Sequence, residues 1–270
     1  MVELENKYKI GVRRFGLINW IGAYSLYKKE VLRFIIVSGQ TLLGPILTSI
    51  LFLVVISLAI GDERSDVLGV PYIEFLANGL IMMQVIQQSF SHSSSSLMMS
   101  KMMGTIFDIV NSPLSAAEVT IALVLASITR GLCIASISTF IFVLFLDLSI
   151  QNYFLWFFYL FLAGFFLGSA GIIAGLYADK FDQMATVTNF LIVPLSFLSG
   201  TFYSIEKLPD ILKTLSYYNP FFHMIDGFRY SFIGQSDGSI KFGIIFLLII
   251  SLLTWYISYL LYRKGYKIKS

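Results

Sequence analysis

Arg130 stands inside an apolar run long enough to cross a lipid bilayer, and it is the residue of this chain that most demands a chemical explanation. A guanidinium at mid-helix costs about 2.5–3.5 kcal/mol on insertion scales, so it is expected to face a cavity or a partner carboxylate rather than lipid. Three readings stay open: a polar path or lock within the membrane, a purely structural pair, or a helix shifted outward so that the side chain reaches the interface. Other reactive groups are sparse. Ser91 and His92 open a serine run, but nucleophilic catalysis needs a nucleophile, a base and an orienting acid assembled in space, which adjacency does not supply. His92 and His223 are the only histidines, and the topology derived below puts them on opposite membrane sides, which argues against a shared metal. No paired-carboxylate motif lies within the apolar runs. Cys133 is the single cysteine, which excludes an internal disulfide, and its apolar setting suits inert packing. No Gly-x-x-x-x-Gly-Lys-Ser/Thr loop occurs, so the chain has no phosphate cradle of the usual kind for ATP. Asp226 and Arg229 are spaced i, i+3, where a helical pair can form, worth little if exposed.

The elements that must carry these residues are membrane helices. Apolar residues make up 57% of the 270 positions and charged residues 13%, against about 25% charged in soluble domains. With 25 Phe and 15 Tyr besides, a water-soluble fold of this length cannot hide its apolar surface. The expected class is all-α, one polytopic membrane domain. A crossing of about 30 Å of hydrocarbon needs about 20 mostly apolar residues. Six stretches meet or approach this: 34–60, 72–90, 119–146, 152–178, 185–203 and 242–262. The count becomes five or seven if the segment 211–225 is read differently.

Lys and Arg set the orientation. Lys7, Lys9, Arg13, Arg14, Lys28, Lys29 and Arg33 precede the first stretch, and Arg263, Lys264, Lys267 and Lys269 follow the last. With Lys101 and Lys180 they put thirteen cations on one side, against Arg64, Lys207, Lys213, Arg229 and Lys241 on the other. Both termini are therefore expected in the cytoplasm, with the acidic loop of Asp62, Glu63 and Asp66 outside. The first apolar run is too long and too far from Met1 to be a cleaved signal peptide, and reads as an uncleaved anchor. A net charge of +3 is too small to point to nucleic acid.

Between the spans lie three informative pieces. Residues 13–33 place Leu17, Ile21, Tyr24, Tyr27 and Val31 at helical spacing among cations, which predicts an amphipathic helix at the inner membrane surface anchored by Trp20, or else a soluble helix packed on a partner. Part of the connection 91–118 extends the second helix inward, Gly104 then allows a turn, and a short helix over 105–110 is stopped by Asn111-Ser-Pro113. Ser115 and Glu118 then form a capping pattern for the next helix. The segment 204–240 contains Pro209 and Asn219-Pro220, which predict two short helices in or along the outer leaflet. Tyr217, Tyr218, Phe221 and Phe222 are expected at headgroup level. Within the fourth stretch, Gly164, Gly168, Gly171 and Gly175 recur at spacings that let helices approach closely.

Several of these pieces match a known family. GQTLLGPILTSILF, NGLIMMQVI, GTIFDIVNSPLS, TRGL around Arg130, LYADKFDQMATVTNFLIVPLSFLSGTFYSIEKLP and NPFFHMIDGFRYSFIG occur in order between residues 33 and 263. In these the chain resembles the bacterial ABC-2 type transport permeases of the inner membrane. The resemblance implies a six-helix half-transporter, two copies of which pair with two separate ATP-binding subunits. It implies a cytoplasmic tail with interfacial helix over 1–33, a transmembrane domain over 34–263 and a tail over 264–270. The family's coupling helix maps onto Gly104, Thr105, Phe107, Asp108 and Asn111, and its outer re-entrant hairpin onto 208–230 with Pro209, Asn219, Pro220, Asp226 and Arg229. Arg130 becomes a candidate for the translocation path or an intramembrane lock. The chain would not be an enzyme by itself; it would hold no metal or cofactor, with ATP and Mg on the partner subunit. The aliphatic and aromatic character of the spans favours an amphipathic or lipid-like cargo. One departure is that Asp108 is the only acid in a segment that often carries several charges. An intramembrane lipid-modifying enzyme or a non-transporting scaffold are the alternatives.

Overall fold

The structure is a computed structural model that describes residues 18–60, 66–146 and 148–267. The expectations for Lys7, Lys9, Arg13, Arg14, Leu17, Asp62, Glu63, Arg64 and Lys269 lie outside the described residues. Among the described residues the regular structure is helical, with an isolated bridge between Val67 and Val70, as the all-α reading requires.

Helix α1 spans Trp20–Ile36, capped by the Asn19 side chain, which accepts from Gly22 N at 3.0 Å. Trp20, Ile21 and Tyr24 are exposed, while Leu26, Glu30 and Phe34 are buried. A helix stands where the amphipathic one is expected, but it runs through Phe34, Ile35 and Ile36, which the sequence reading assigns to the first span. The chain breaks after Val37, and the Thr41 hydroxyl caps the break by donating to Phe34 O at 2.7 Å and Val37 O at 3.1 Å. The crossing helix begins only with a π turn, Gly39–Leu43, and continues as α2, Gly44–Ile60.

Helix α3, Tyr72–Met102, continues past the second stretch at residue 90, as the expected inward extension requires, and carries the serine run as helix. Its hydroxyls turn back onto the backbone: Ser94 donates to Phe90 O at 2.8 Å and Ser95 to His92 O at 3.2 Å. Such back-bonding lets polar residues stay helical in an apolar setting. After the short α4, Ile106–Val110, comes α5, Ala116–Phe145, opened by the predicted capping box of Ser115 and Glu118. Helix α6, Tyr153–Tyr177, starts at an Asn152 cap. Then follow α7, Phe181–Val187, a π turn, Thr188–Ile192, and α8, Val193–Phe197. A 3-10 turn, Ile205–Lys207, leads to α9, Asp210–Tyr218, α10, Pro220–Ile233, and α11, Ile240–Arg263.

Helices α3, α5 and α6 form the centre, with α10 and α11 packed on α6 and α10 also on α3. The glycines of α6 divide between two neighbours. A methyl at Gly164 would meet Ile128 Cα of α5 at 2.9 Å, and one at Gly171 would meet Phe90 O of α3 at 2.5 Å. Both partners therefore approach to backbone contact.

By length and composition, four helices among the described residues suffice to cross a membrane: Gly39–Ala59, Ala116–Phe145, Tyr153–Tyr177 and Ile240–Arg263. Two of the six expected stretches fall outside that set for different reasons. Helix α3 bears Asn78, Gln84, Gln87, Gln88 and the serines, and its central position surrounds it with protein rather than lipid. The helical stretch from Phe181 to Phe197 is short and interrupted by its π turn.

Candidate functional site

The connection between α3 and α5 folds into a ledge. Gly104 has φ +72°, the left-handed region, with open space where a side chain would stand, so it is there for the turn. Thr105 precedes α4 and Asn111 follows it. Ile106 and Ile109 anchor α4 in an apolar cluster with Leu97, Val119 and Ala122. On the opposite side Phe107 and Val110 are exposed, with Met102 and Met103 beside them and Asp108 as the acid among them. The result is an apolar surface on a short, well-anchored helix.

Two polar joints fasten this ledge. Glu118 accepts from Ser115 N at 2.6 Å and from Asn19 N, and Asn19 Nδ2 donates to Pro113 O at 2.9 Å. The start of α1 is thereby tied to the start of α5. At the other stem, Lys101 donates to Leu176 O at 2.9 Å and Ala178 O at 2.7 Å, capping the end of α6. Lys267 bonds Asp179 at 2.8 Å and Tyr177 O at 3.0 Å. The capping box is readable in the sequence; its extension to Asn19 is not, because ninety-nine residues separate the partners.

Arg130 is buried, and its guanidinium donates to the Gln88 amide oxygen and to Thr41 O at 3.3 Å. No ion pair to it occurs among the described residues. Next to it lies a polar cluster that the sequence does not announce. Buried Glu30 of α1 bonds Arg33 Nε at 3.0 Å and Ser96 Oγ at 2.7 Å, with His92 Nε2 at 3.9 Å. Arg33 also donates to His92 O at 3.0 Å. The ring neighbours of His92 are thus a carboxylate and a guanidinium, not the serine hydroxyl a hydrolase would need. Among the described residues no group of His, Cys, Asp and Glu could hold a metal.

On the far side, Pro209 precedes α9, and Asn219 breaks the chain before α10. Its Oδ1 accepts from Phe221 N at 3.0 Å and its Nδ2 donates to Ser199 Oγ at 2.8 Å, while Pro220 takes the first helical position. The two helices and their break match the expectation, but the exposure does not. Phe221 and Phe222 are buried, whereas Tyr218 is 72% exposed. The reason is that α10 enters the bundle between α3, α6 and α11. For the same reason Asp226 and Arg229 are buried and form no ion pair with each other. Asp226 accepts from Asp237 N at 2.8 Å and Gly238 N at 3.0 Å through separate oxygens. Arg229 donates to Gly200 O at 2.8 Å and lies 3.6 Å over the Phe75 ring. Asp226→Asn, nearly the same shape, turns one acceptor into a donor facing an N–H. It is expected to cost about 1–3 kcal/mol, read as a fall in melting temperature in detergent.

The profile of the ABC-2 type transporter family matches residues 23–233. The chain is 31% identical over 240 residues to "Inner membrane transport permease YadH" of Escherichia coli K12, covering 87% of this chain and 94% of that protein. It is 25% identical over 260 residues to "Nodulation protein J" of Sinorhizobium fredii, covering 89% and 91%. With "Nodulation protein J" of Neorhizobium galegae it shares 22% over 263 residues, covering 92% and 94%. A helical membrane domain with these landmarks, matched over most of its length, belongs to the ABC-2 type transporter family of membrane permeases.

Proposed function

We propose that this chain is the transmembrane subunit of an ATP-binding cassette exporter, working as a homodimer and driven by a separate ATPase subunit that binds ATP and Mg. The observation that carries this reading is the α4 ledge. Phe107, Val110, Met102 and Met103 offer an apolar docking surface, on the side where Lys and Arg concentrate, in a chain with no ATP cradle of its own.

In this reading six segments cross the inner membrane, α3 and the stretch from Phe181 to Phe197 joining the four apolar ones, and both termini are cytoplasmic. Helices α9 and α10 form a re-entrant hairpin from the outer side. ATP would draw two partner subunits together, and the resulting push on α4 would tilt α3 and α5. Rigid joints at Lys101 and Glu118 would pass that tilt to α6 and α1. The bias comes from the partner's tighter hold on ATP in the closed assembly, since a ligand shifts conformations only by differential affinity. The path would form between the two permease copies, for an amphipathic or lipid-like substrate.

The test is purification of the tagged chain in mild detergent after co-expression with a candidate ATP-binding cassette subunit of the same genome. A stable complex is expected for wild type, and Asp108→Lys together with Phe107→Ser should weaken it at least about tenfold, the loss of about 1.4 kcal/mol. Wild-type chain that is folded yet holds no ATPase would sink the proposal.

A further inference from the structure

We propose that the junction of α1, α3 and α5 binds the headgroup of an anionic phospholipid, with Arg33 and Arg130 as its two cationic contacts. Gln88 and His92 stand one turn apart on the same face of α3. The Gln88 amide holds Arg130, and the His92 carbonyl holds Arg33. Both guanidiniums are therefore held at one stretch of α3.

The charges around them do not balance. Glu30 is the single carboxylate in ion-pair contact with this cluster among the described residues, and it is already committed to Arg33 and Ser96. Two arginines against one glutamate leave a formal excess of one positive charge, before His92 is counted. Arg130 is 6% exposed and its Nε has no partner; His92 Nε2, fully buried, has no hydrogen-bond partner either. A buried charge without a counterion is strongly unfavourable, and paired guanidinium donors are the arrangement that suits phosphate.

Access and shape point to a lipid as the source of that phosphate. The Arg33 side chain is 34% exposed, at the break where α1 ends and the crossing helix begins. Exposed Ile36, Leu43 and Leu47 continue from this opening onto the outward face of the first crossing helix. A headgroup held by the arginines would lay its hydrocarbon along that face. The leaflet so named is the cytoplasmic one, which rests on the orientation proposed above; the binding itself does not.

The full-length permease in phosphatidylcholine nanodiscs containing a minority of phosphatidylglycerol provides the assay. The readout is phosphatidylglycerol retained per protein by native mass spectrometry. Arg33→Gln and Arg130→Gln should each lower retention about tenfold. Glu30→Gln, which keeps its shape but drops the competing charge, should raise it. Lys28→Gln with Lys29→Gln, on the exposed surface of α1, should leave it unchanged. Retention equal to wild type in Arg33→Gln overturns the proposal even if Arg130→Gln does not fold. An equal loss in the Lys28/Lys29 variant also overturns it, because surface charge alone would then explain retention. Displacement of the lipid by millimolar inorganic phosphate would reassign the site to a soluble anion and overturn the lipid assignment. No ATPase or flux enters the assay, so its failure and that of the transport reading are separable.

Discussion

Gly171→Leu should all but abolish recovery of folded permease, while Gly39→Ala should leave it unchanged. Both are glycines in helical segments, so intrinsic propensity predicts the same small effect for each. Their surroundings separate them. A methyl at Gly171 would stand 2.5 Å from Phe90 O, 3.1 Å from Ser93 Cβ and 3.1 Å from Ser94 N, whereas at Gly39 nothing lies within 4 Å. The first obstacle is backbone, and a carbonyl in the middle of α3 cannot move without breaking its helix. Even alanine must push α3 and α6 apart, at about 1–3 kcal/mol for overpacking, and leucine more. Separating them also opens the contact of Gly175 with Ser94, where a Cβ would meet Ser94 O at 2.8 Å. Fluorescence-detected size exclusion after graded heating measures the outcome. Equal melting of Gly171→Leu and wild type would mean that α3 and α6 do not touch at this register.

Much of the architecture is legible in the residues because its signals are local. The Ser115–Glu118 box, the Gly104 turn and the Asn219-Pro220 break each depend on a few neighbours, and each is found where expected. Four of the apolar stretches, the one that Arg130 interrupts among them, are also found as helices long enough to cross, since hydropathy needs no partner. Destinations of polar side chains are another matter. Asp226 and Arg229 look like a surface ion pair when spacing alone is considered. Their true partners, Asp237 N and Gly200 O, are fixed by how α10 enters the bundle. The Glu30 cluster is invisible for the same reason: its members lie on α1 and α3, sixty-six residues apart for Glu30 and Ser96. Helix α3 shows how burial rewrites composition. Its glutamines and serines dilute the apolar signal, yet Gln88, Ser89 and Ser96 bond neighbouring helices and Ser94 and Ser95 their own backbone. The end of α1 is set at Ser38-Gly39-Gln40-Thr41, a polar interruption that a charge-free reading of 34–60 passes over, where the Thr41 hydroxyl takes up the carbonyls of Phe34 and Val37.

Gly104→Val should uncouple ATP hydrolysis from helix movement in a protein that remains folded, and Gly104→Asn should restore most of the coupling. Space does not limit this site, as nothing would touch an added Cβ. The backbone does. At φ +72° a β-branched residue is strongly disfavoured, whereas asparagine tolerates the left-handed region. The strain, about 1–3 kcal/mol, is relieved most easily by rotating α4, which is five residues long and held through Ile106 and Ile109. Rotation carries Phe107 and Val110 away from any partner docked on them, while α3, α5 and their packing stay intact. In vesicles containing both subunits, the valine variant should show ATPase activity within about twofold of wild type. Nucleotide-driven movement, followed by a fluorophore on exposed Tyr218 of α9 after Tyr218→Cys in a Cys133→Ser background, should fall about tenfold, an effect of about 1.4 kcal/mol. The valine–asparagine contrast is what distinguishes conformation from bulk. If both variants lose movement equally, side-chain size rather than the turn matters; if neither does, the push enters elsewhere and α4 drops out of the mechanism.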